Sequence, residues 1–141
     1  MDNPNEEMQL SKQLVGNIGL FYVCYELSKK GWNCLPTSRN AKGVDIVIYS
    51  QDAKLKYAIQ VKSLSKRNPV PFGTSSELIA DFLIIYREAK KEESKPEIFI
   101  LSSEDVGPGV LGKSERNGKM SFWLSPVSYE GHKDHWEKIQ K

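Results

Sequence analysis

The sequence has few of the residues that mark the commonest site chemistries. It contains two cysteines and two histidines in 141 residues. Cys24 falls inside a helical pattern and Cys34 in the next apolar segment, a spacing that forms no metal or redox motif, so both read as reduced core thiols. His132 and His135 lie near Asp134 and Glu137, but a zinc site needs three or four ligands and no further partner offers itself. Exposed terminal histidines are the simpler reading. No run approaches the ~18 apolar residues of a membrane span, and the start MDNPNEEMQL has neither a basic nor an apolar targeting region. The expected location is therefore cytoplasmic. Internal repeats and low-complexity linkers are missing as well. Ser102 and Ser103 lack the strand-to-helix elbow of a serine nucleophile.

What is present is an ordinary folding composition, 39% hydrophobic and 27% charged with fourteen aromatics, which excludes a disordered chain. The length is that of one unit, and residues 1–141 are expected to form a single domain. The net charge of +2 hides an uneven distribution. Between Lys29 and Arg67, nine basic residues stand against the two acids Asp45 and Asp52, an excess of seven, so the rest of the chain is net acidic. Such a local excess is the footprint expected for a polyanion such as nucleic acid, although a solvated cationic face would look the same. Arg39, Lys42, Lys66 and Arg67 are the candidate phosphate contacts within it.

Hydrophobic spacing predicts one long helix over residues 9–30, with Leu14, Ile18, Phe21 and Tyr25 as its apolar stripe and Leu20, Val23, Cys24 and Leu27 widening it. Gly16 and Gly19 inside this helix each cost roughly 1 kcal/mol relative to alanine unless something packs closely against them. WNCLPTS, VDIVIYS and LKYAIQVKS read as a three-strand meander. SKRNPVPFGTSSE reads as a loop, SSELIA as a helical turn, DFLIIY and EIFILS as buried strands, MSFWL as a further strand, and the C-terminus as a short helix docking Val127, Trp136 and Ile139. The expected architecture is α/β bordering on α+β: an N-terminal helix, a mixed sheet with an antiparallel meander, a short helix, further strands and a C-terminal helix.

The second and third strands carry the chemistry. If Gln51–Lys54 form the turn, paired residues have numbers summing to 105, so Asp45 faces Gln60 at ~5 Å and Lys62 lies diagonally ~7–8 Å away. A carboxylate, an amide oxygen and an ammonium then share one patch. Oxygen ligands of this kind suit Mg2+ or Mn2+, with Lys62 placed to orient a water or to stabilise charge on a phosphate. Polar residues on an exposed strand face, with one surface ion pair, are the plain alternative. GPGVLGKS has the letters of a phosphate-binding loop, but an Asn-Gly turn and a strand follow where a helix is required. A surface loop bearing Lys113 is the better reading.

The order helix, strand, GVD opening a hydrophobic strand and IQVK closing the next resembles the PD-(D/E)XK nuclease superfamily, whose fold is restriction-endonuclease-like. It is most similar to branches in which glutamine replaces the second acid, as in some modification-dependent restriction enzymes and relatives of archaeal Holliday-junction resolvases. The resemblance spans roughly Gly16 to Tyr86. It implies a DNA endonuclease in which Asp45 and Gln60 bind magnesium or manganese and Lys62 serves the attacking water, with a homodimer to cut both strands. The sequence departs from the pattern at Leu20, which stands where many relatives place a helix glutamate. Glu26 is no substitute, because six residues rotate it about 240° from that face. A nuclease-fold protein that binds nucleic acid or assembles with partners, without catalysis, is the alternative this departure keeps open.

Overall fold

The computed structural model describes residues 9–38, 42–90 and 95–140. Helix α1 spans Lys12–Lys29, and Ser11 caps it by accepting the Leu14 N–H at 3.2 Å. Strands β1 (Asn33–Pro36), β2 (Ile46–Tyr49), β3 (Lys56–Leu64), β5 (Phe82–Arg87) and β6 (Glu97–Ser102) form a five-stranded sheet in the order β1-β2-β3-β5-β6. The β3–β5 pair is parallel and the other pairs are antiparallel, so the sheet is mixed as the sequence predicts. Strands β4 (Val70–Gly73), β7 (Gly112–Arg116) and β8 (Lys119–Leu124) form a second, three-stranded sheet in the order β4-β8-β7. Helix α2 is a single turn, Pro126–Tyr129, followed by 3₁₀ turns at Glu130–His132 and Trp136–Lys138. Among the described residues, no helix is long and apolar enough to cross a membrane.

Alternation along the strands sorts the core into two clusters, one on each face of the large sheet. Ile46, Ile48, Ile59, Phe82, Ile84, Tyr86, Ile98 and Ile100 pack under α1 with Val23, Leu27 and Trp32. Leu64, Leu83, Ile85, Phe99 and Leu101 pack on the other face against Val70, Val106, Leu124 and Tyr129. Every residue of β5 is buried, so the continuous apolar run DFLIIY has the physical cause expected of a strand covered on both sides.

The structure departs from the sequence reading at five places. Leu14, Ile18, Phe21 and Tyr25 face outward, with Phe21 and Tyr25 about 60% exposed, and α1 instead docks through Gly19, Val23 and Leu27. Gly19 decides this. A methyl group there would strike the Ser63 side chain and stand 3.1 Å from the Tyr86 Cβ, so the missing side chain lets the helix lie on β3 and β5. The segment SKRNPVPFGTSSE contains β4, an edge strand whose register shifts between Pro71 and Gly73, and edges are where prolines are tolerated. Ser75–Ala80 forms no helical turn, and Gly112–Ser114, the end of the phosphate-loop lookalike, lies in β7, which removes the helix that such a loop needs. Val127 is 82% exposed, and Tyr129 takes the buried place expected for it, while Trp136 and Ile139 dock as predicted. Cys24 and Cys34 are free and half-buried.

Candidate active site

The β2–β3 hairpin has the register that its turn length dictates: Ile46 pairs with Ile59, Val47 with Ala58, Ile48 with Tyr57 and Tyr49 with Lys56. The regular ladder ends one residue short of Asp45. The Asp45 N–H donates to the Ile59 carbonyl at 2.8 Å, so Asp45 and Ile46 both oppose Ile59, the arrangement of a β-bulge. The displaced carboxylate does what the backbone of the next pair would have done: Oδ2 accepts the Val61 N–H at 2.7 Å. That N–H belongs to the peptide joining Gln60 to Val61, with Lys62 next along the strand. The carboxylate is thereby held at the stretch that bears both Gln60 and Lys62.

Thr37 completes the clamp. Its N–H donates to the Asp45 carbonyl at 2.9 Å and its hydroxyl donates to the Val44 carbonyl at 2.6 Å. Gly43, with φ of 72°, turns the chain into this position and lies against Ile79, whose Cβ would be 3.1 Å from any added methyl. The peptide of Asp45 is tied on both sides and its side chain is tied at one oxygen. Nothing in periodicity reports Thr37, and a Thr-to-peptide clamp has no sequence signature beyond a hydroxyl residue at a strand end.

Gln60 and Lys62 share one face of β3, the face that continues to Leu64 and neighbours Leu83 and Ile85 on β5. Asp45, Gln60 and Lys62 are all half-buried, reachable by solvent and backed by core. Among the described residues neither Asp45 nor Lys62 forms an ion pair. Ser63, pointing to the opposite face, is taken by α1 through the Gly16 carbonyl. Leu20 lies half-buried in the apolar cluster beneath α1 and offers no oxygen to the site. No group of three or more His, Cys, Asp or Glu side chains suited to a metal ion occurs among the described residues.

The predicted phosphate contacts separate. Lys42 is exposed on the turn just before Gly43 and Asp45. Lys66 is exposed in the bend that follows β3, four residues beyond Lys62. Arg67 makes a forked pair with Glu130 at 2.7 and 3.1 Å, which raises the basicity of Arg67 and holds Glu130 at about 2. Arg39 lies outside the described residues. A groove of about 1050 Å³ opens near Lys66 and Arg67 at the carboxyl ends of β3 and β5, and Asp45, Gln60 and Lys62 are not part of its lining.

The remaining ionisable clusters are structural. Arg87, only 5% exposed, is held by Glu97 at 2.9 Å and Glu130 at 3.1 Å and sits over the Phe99 ring. Asp105 collects Ser102 and Lys138, and His132 lies against Lys138 with Nδ1 at 2.6 Å from Nζ. The Lys138–Asp105 pair, at 2.8 Å, therefore ties the C-terminal segment to the body. Burial, then the Lys138 charge, pushes the His132 imidazole below the usual histidine range.

No family model matches this chain, and no curated protein matches it in sequence. Its structure is similar to the solved structure of a bacterial homing endonuclease, at 16% sequence identity and a TM-score of 0.59, over 92% of this chain and 93% of that one. The two share a fold.

Proposed function

We propose that the chain is a metal-dependent endonuclease that hydrolyses phosphodiester bonds in DNA, at a site built from Asp45, Gln60 and Lys62. One observation carries the reading: the Asp45 carboxylate is tied to the Val61 amide, between the two polar residues of β3, by a bulge and a threonine clamp. Bulges recur next to active sites because they re-aim a side chain. The shared fold with a homing endonuclease supports a nuclease, and favours DNA over RNA.

The donor set fits a hard divalent cation. Asp45 would ligate through the carboxylate whose other oxygen is fixed, Gln60 through its side-chain oxygen, and neither is a soft ligand. Magnesium or manganese, when bound, supplies the Lewis acidity that polarises a phosphate and acidifies a water. Asp45 and Gln60 would hold and orient that cation. Lys62 directs its ammonium at the attacking water or at the charge building on the phosphate oxygens. Lys42 and Lys66 hold the backbone on either side, as exposed cations do in positioning nucleic acid without reading sequence.

A second reading has one observation in its favour. With Leu20 in the apolar cluster, Asp45 is the one carboxylate assigned to the site, so the chain would bind nucleic acid through this fold without cleaving it. Magnesium and manganese titrations with plasmid, single-stranded DNA and structured RNA separate the two. The nuclease reading expects cleavage of the plasmid that Asp45→Ala and Lys62→Ala each reduce by about 10³-fold. Salt-dependent, chelator-insensitive binding with no cleavage at any metal concentration would establish the second reading instead.

Cutting both strands of a duplex from one site per chain calls for a second copy. The outward face of α1 is the surface for it: Leu14, Ile18, Phe21 and Tyr25 are exposed along about three turns. With aromatic side chains of ~150–250 Å² each, two such faces would bury on the order of 1,000 Å², the lower bound for a specific interface. Light scattering on wild type and Phe21→Lys tests this, with a dimer lost in the variant as the expected result and a wild-type monomer at all concentrations as the refutation.

A further inference from the structure

Strand β8 pairs with β4 through Leu124 opposite Val70 and Phe122 opposite Gly73. Past Phe122 its sole partner among the described residues is β7, so residues 114–121 leave the body as a two-stranded ribbon extending ~10 Å beyond the edge of β4. The ribbon is closed by Asn117 and Gly118, both at positive φ (53° and 77°), the two-residue turn whose twist matches the strands it joins. It projects from the body as a paired ribbon. Its direction follows from the connections: β4 starts beyond the end of β3 and runs back toward the start of β5, and the loop after β4 brings Ile79 against Gly43. The ribbon continues in that direction, so its tip stands on the side of the molecule that carries Lys42, Gly43 and Asp45.

The tip is built against its own stability. Arg116 and Lys119 are directly opposed across the two strands, both exposed, and among the described residues neither has an acidic partner. Like charges so placed repel, and an anion between or beside them removes the repulsion. The next pair on the same face is Ser114 with Ser121, two hydroxyls able to donate and accept. Two cations, an asparagine and two serines therefore line a ribbon that is two strands wide, and the major groove of B-DNA, at about 12 Å, admits such a ribbon.

We propose that the β7–β8 ribbon enters the major groove of duplex DNA, with Arg116 and Lys119 meeting the acceptor edges of bases and the flanking phosphates. The proposal rests on the endonuclease reading above for its substrate, and it assigns to the ribbon the recognition that Asp45, Gln60 and Lys62 do not supply.

The test is binding of a labelled duplex in EDTA, across a salt titration, by wild type, Arg116→Gln, Lys119→Gln, the double variant and Lys95→Gln as an exposed control cation. Each ribbon variant should weaken binding about ten-fold, and each phosphate contact removed should flatten the log–log salt slope by about 0.9. Lys95→Gln should leave both near wild type. A duplex of the same sequence whose cytosines carry glucosylated hydroxymethyl groups, which fill the major groove, should bind wild type several-fold more weakly and the double variant no differently. Equal affinity of wild type and the double variant for the unmodified duplex overturns the proposal, as does indifference of wild type to the modification. Plasmid cleavage by Asp45→Ala separates this from the catalytic assignment. If that variant still cuts while the ribbon variants bind poorly, the catalytic site is wrong and the ribbon stands. No duplex binding by wild type overturns both.

Discussion

The two faces of the large sheet are covered in different ways. Under α1 the cover is mainly apolar from β2 to β6, and the Ser63 hydroxyl is directed at the Gly16 carbonyl. The opposite face is divided. Over β5 and β6 it is closed by the small sheet and the C-terminal segment, through Leu124, Val106 and Tyr129 and through the Arg87 ion pairs. Over the β2–β3 hairpin it carries Gln60 and Lys62, half-buried, with Asp45 clamped at the end of the ladder. Burial on one face secures the strands, which leaves the other face of the same strands free to hold polar groups at fixed spacing. This is the division of labour expected when a site is built on rigid elements.

Breaking the closed half of the second face should have the largest effect on stability. Arg87→Ala removes a buried guanidinium and leaves Glu97 and Glu130 without it, so unfolding in denaturant should lose about 3 kcal/mol or more. A change under 1 kcal/mol would mean the network is not holding that face. On the α1 side, Gly19→Ala should cost about 1–3 kcal/mol through overpacking against Ser63 and Tyr86, whereas Gly16→Ala, which meets nothing within 4 Å, should stabilise by roughly 0.5–1 kcal/mol. Equal effects at the two glycines would remove the reason given for which side of α1 faces inward.

Thr37→Val sharpens the comparison from the other half, because it loosens Asp45 without touching either core cluster. It should lower plasmid cleavage about ten-fold and leave duplex binding near wild type; rescue by Thr37→Ser ties the loss to the hydroxyl, and a parallel loss of binding would point to general misfolding. The smallest effect concerns pH. Burial opposes ionisation of Asp105, but hydrogen bonds from Lys138 and Ser102 outweigh it and hold the carboxyl at about 2, and Arg67 followed by Arg87 holds Glu130 at about 2. Both values lie below the ordinary carboxylate range near 4, so their stabilisation is complete above pH ~4 and is lost as the pH falls toward 2. Hydrogen exchange in that window should show the C-terminal segment opening before the strands beneath α1. Simultaneous opening would contradict the assignment of these pairs to the second face.

Much of this arrangement was legible in the sequence where it depends on local period. The strand spacing and the turn Gln51–Lys54 were enough for the register of the hairpin, and the structure reproduces it from Ile46 to Tyr49. It fails one residue later, at Asp45, because a bulge depends on a side chain capturing a backbone N–H, which alternation does not encode. Helix α1 forms where its spacing predicts, but two apolar stripes compete on it, and the buried one is set by the approach of β3 and β5 to Gly19. Strands β4 and β7 were hidden by prolines and by a phosphate-loop lookalike, and both are edge strands whose identity comes from pairing with β8. Arg67 looked free because its partner Glu130 lies 63 residues away.

The central claim is that the clamped carboxylate does chemistry and not packing, and Asp45→Asn tests it most directly. The amide keeps an oxygen able to accept the Val61 N–H and removes the charge, so melting temperature and plasmid cleavage in magnesium should be read on the same preparation. The expected result is a melting temperature within a few degrees of wild type and cleavage reduced to background. Cleavage at the wild-type rate by a folded Asp45→Asn protein would contradict the account.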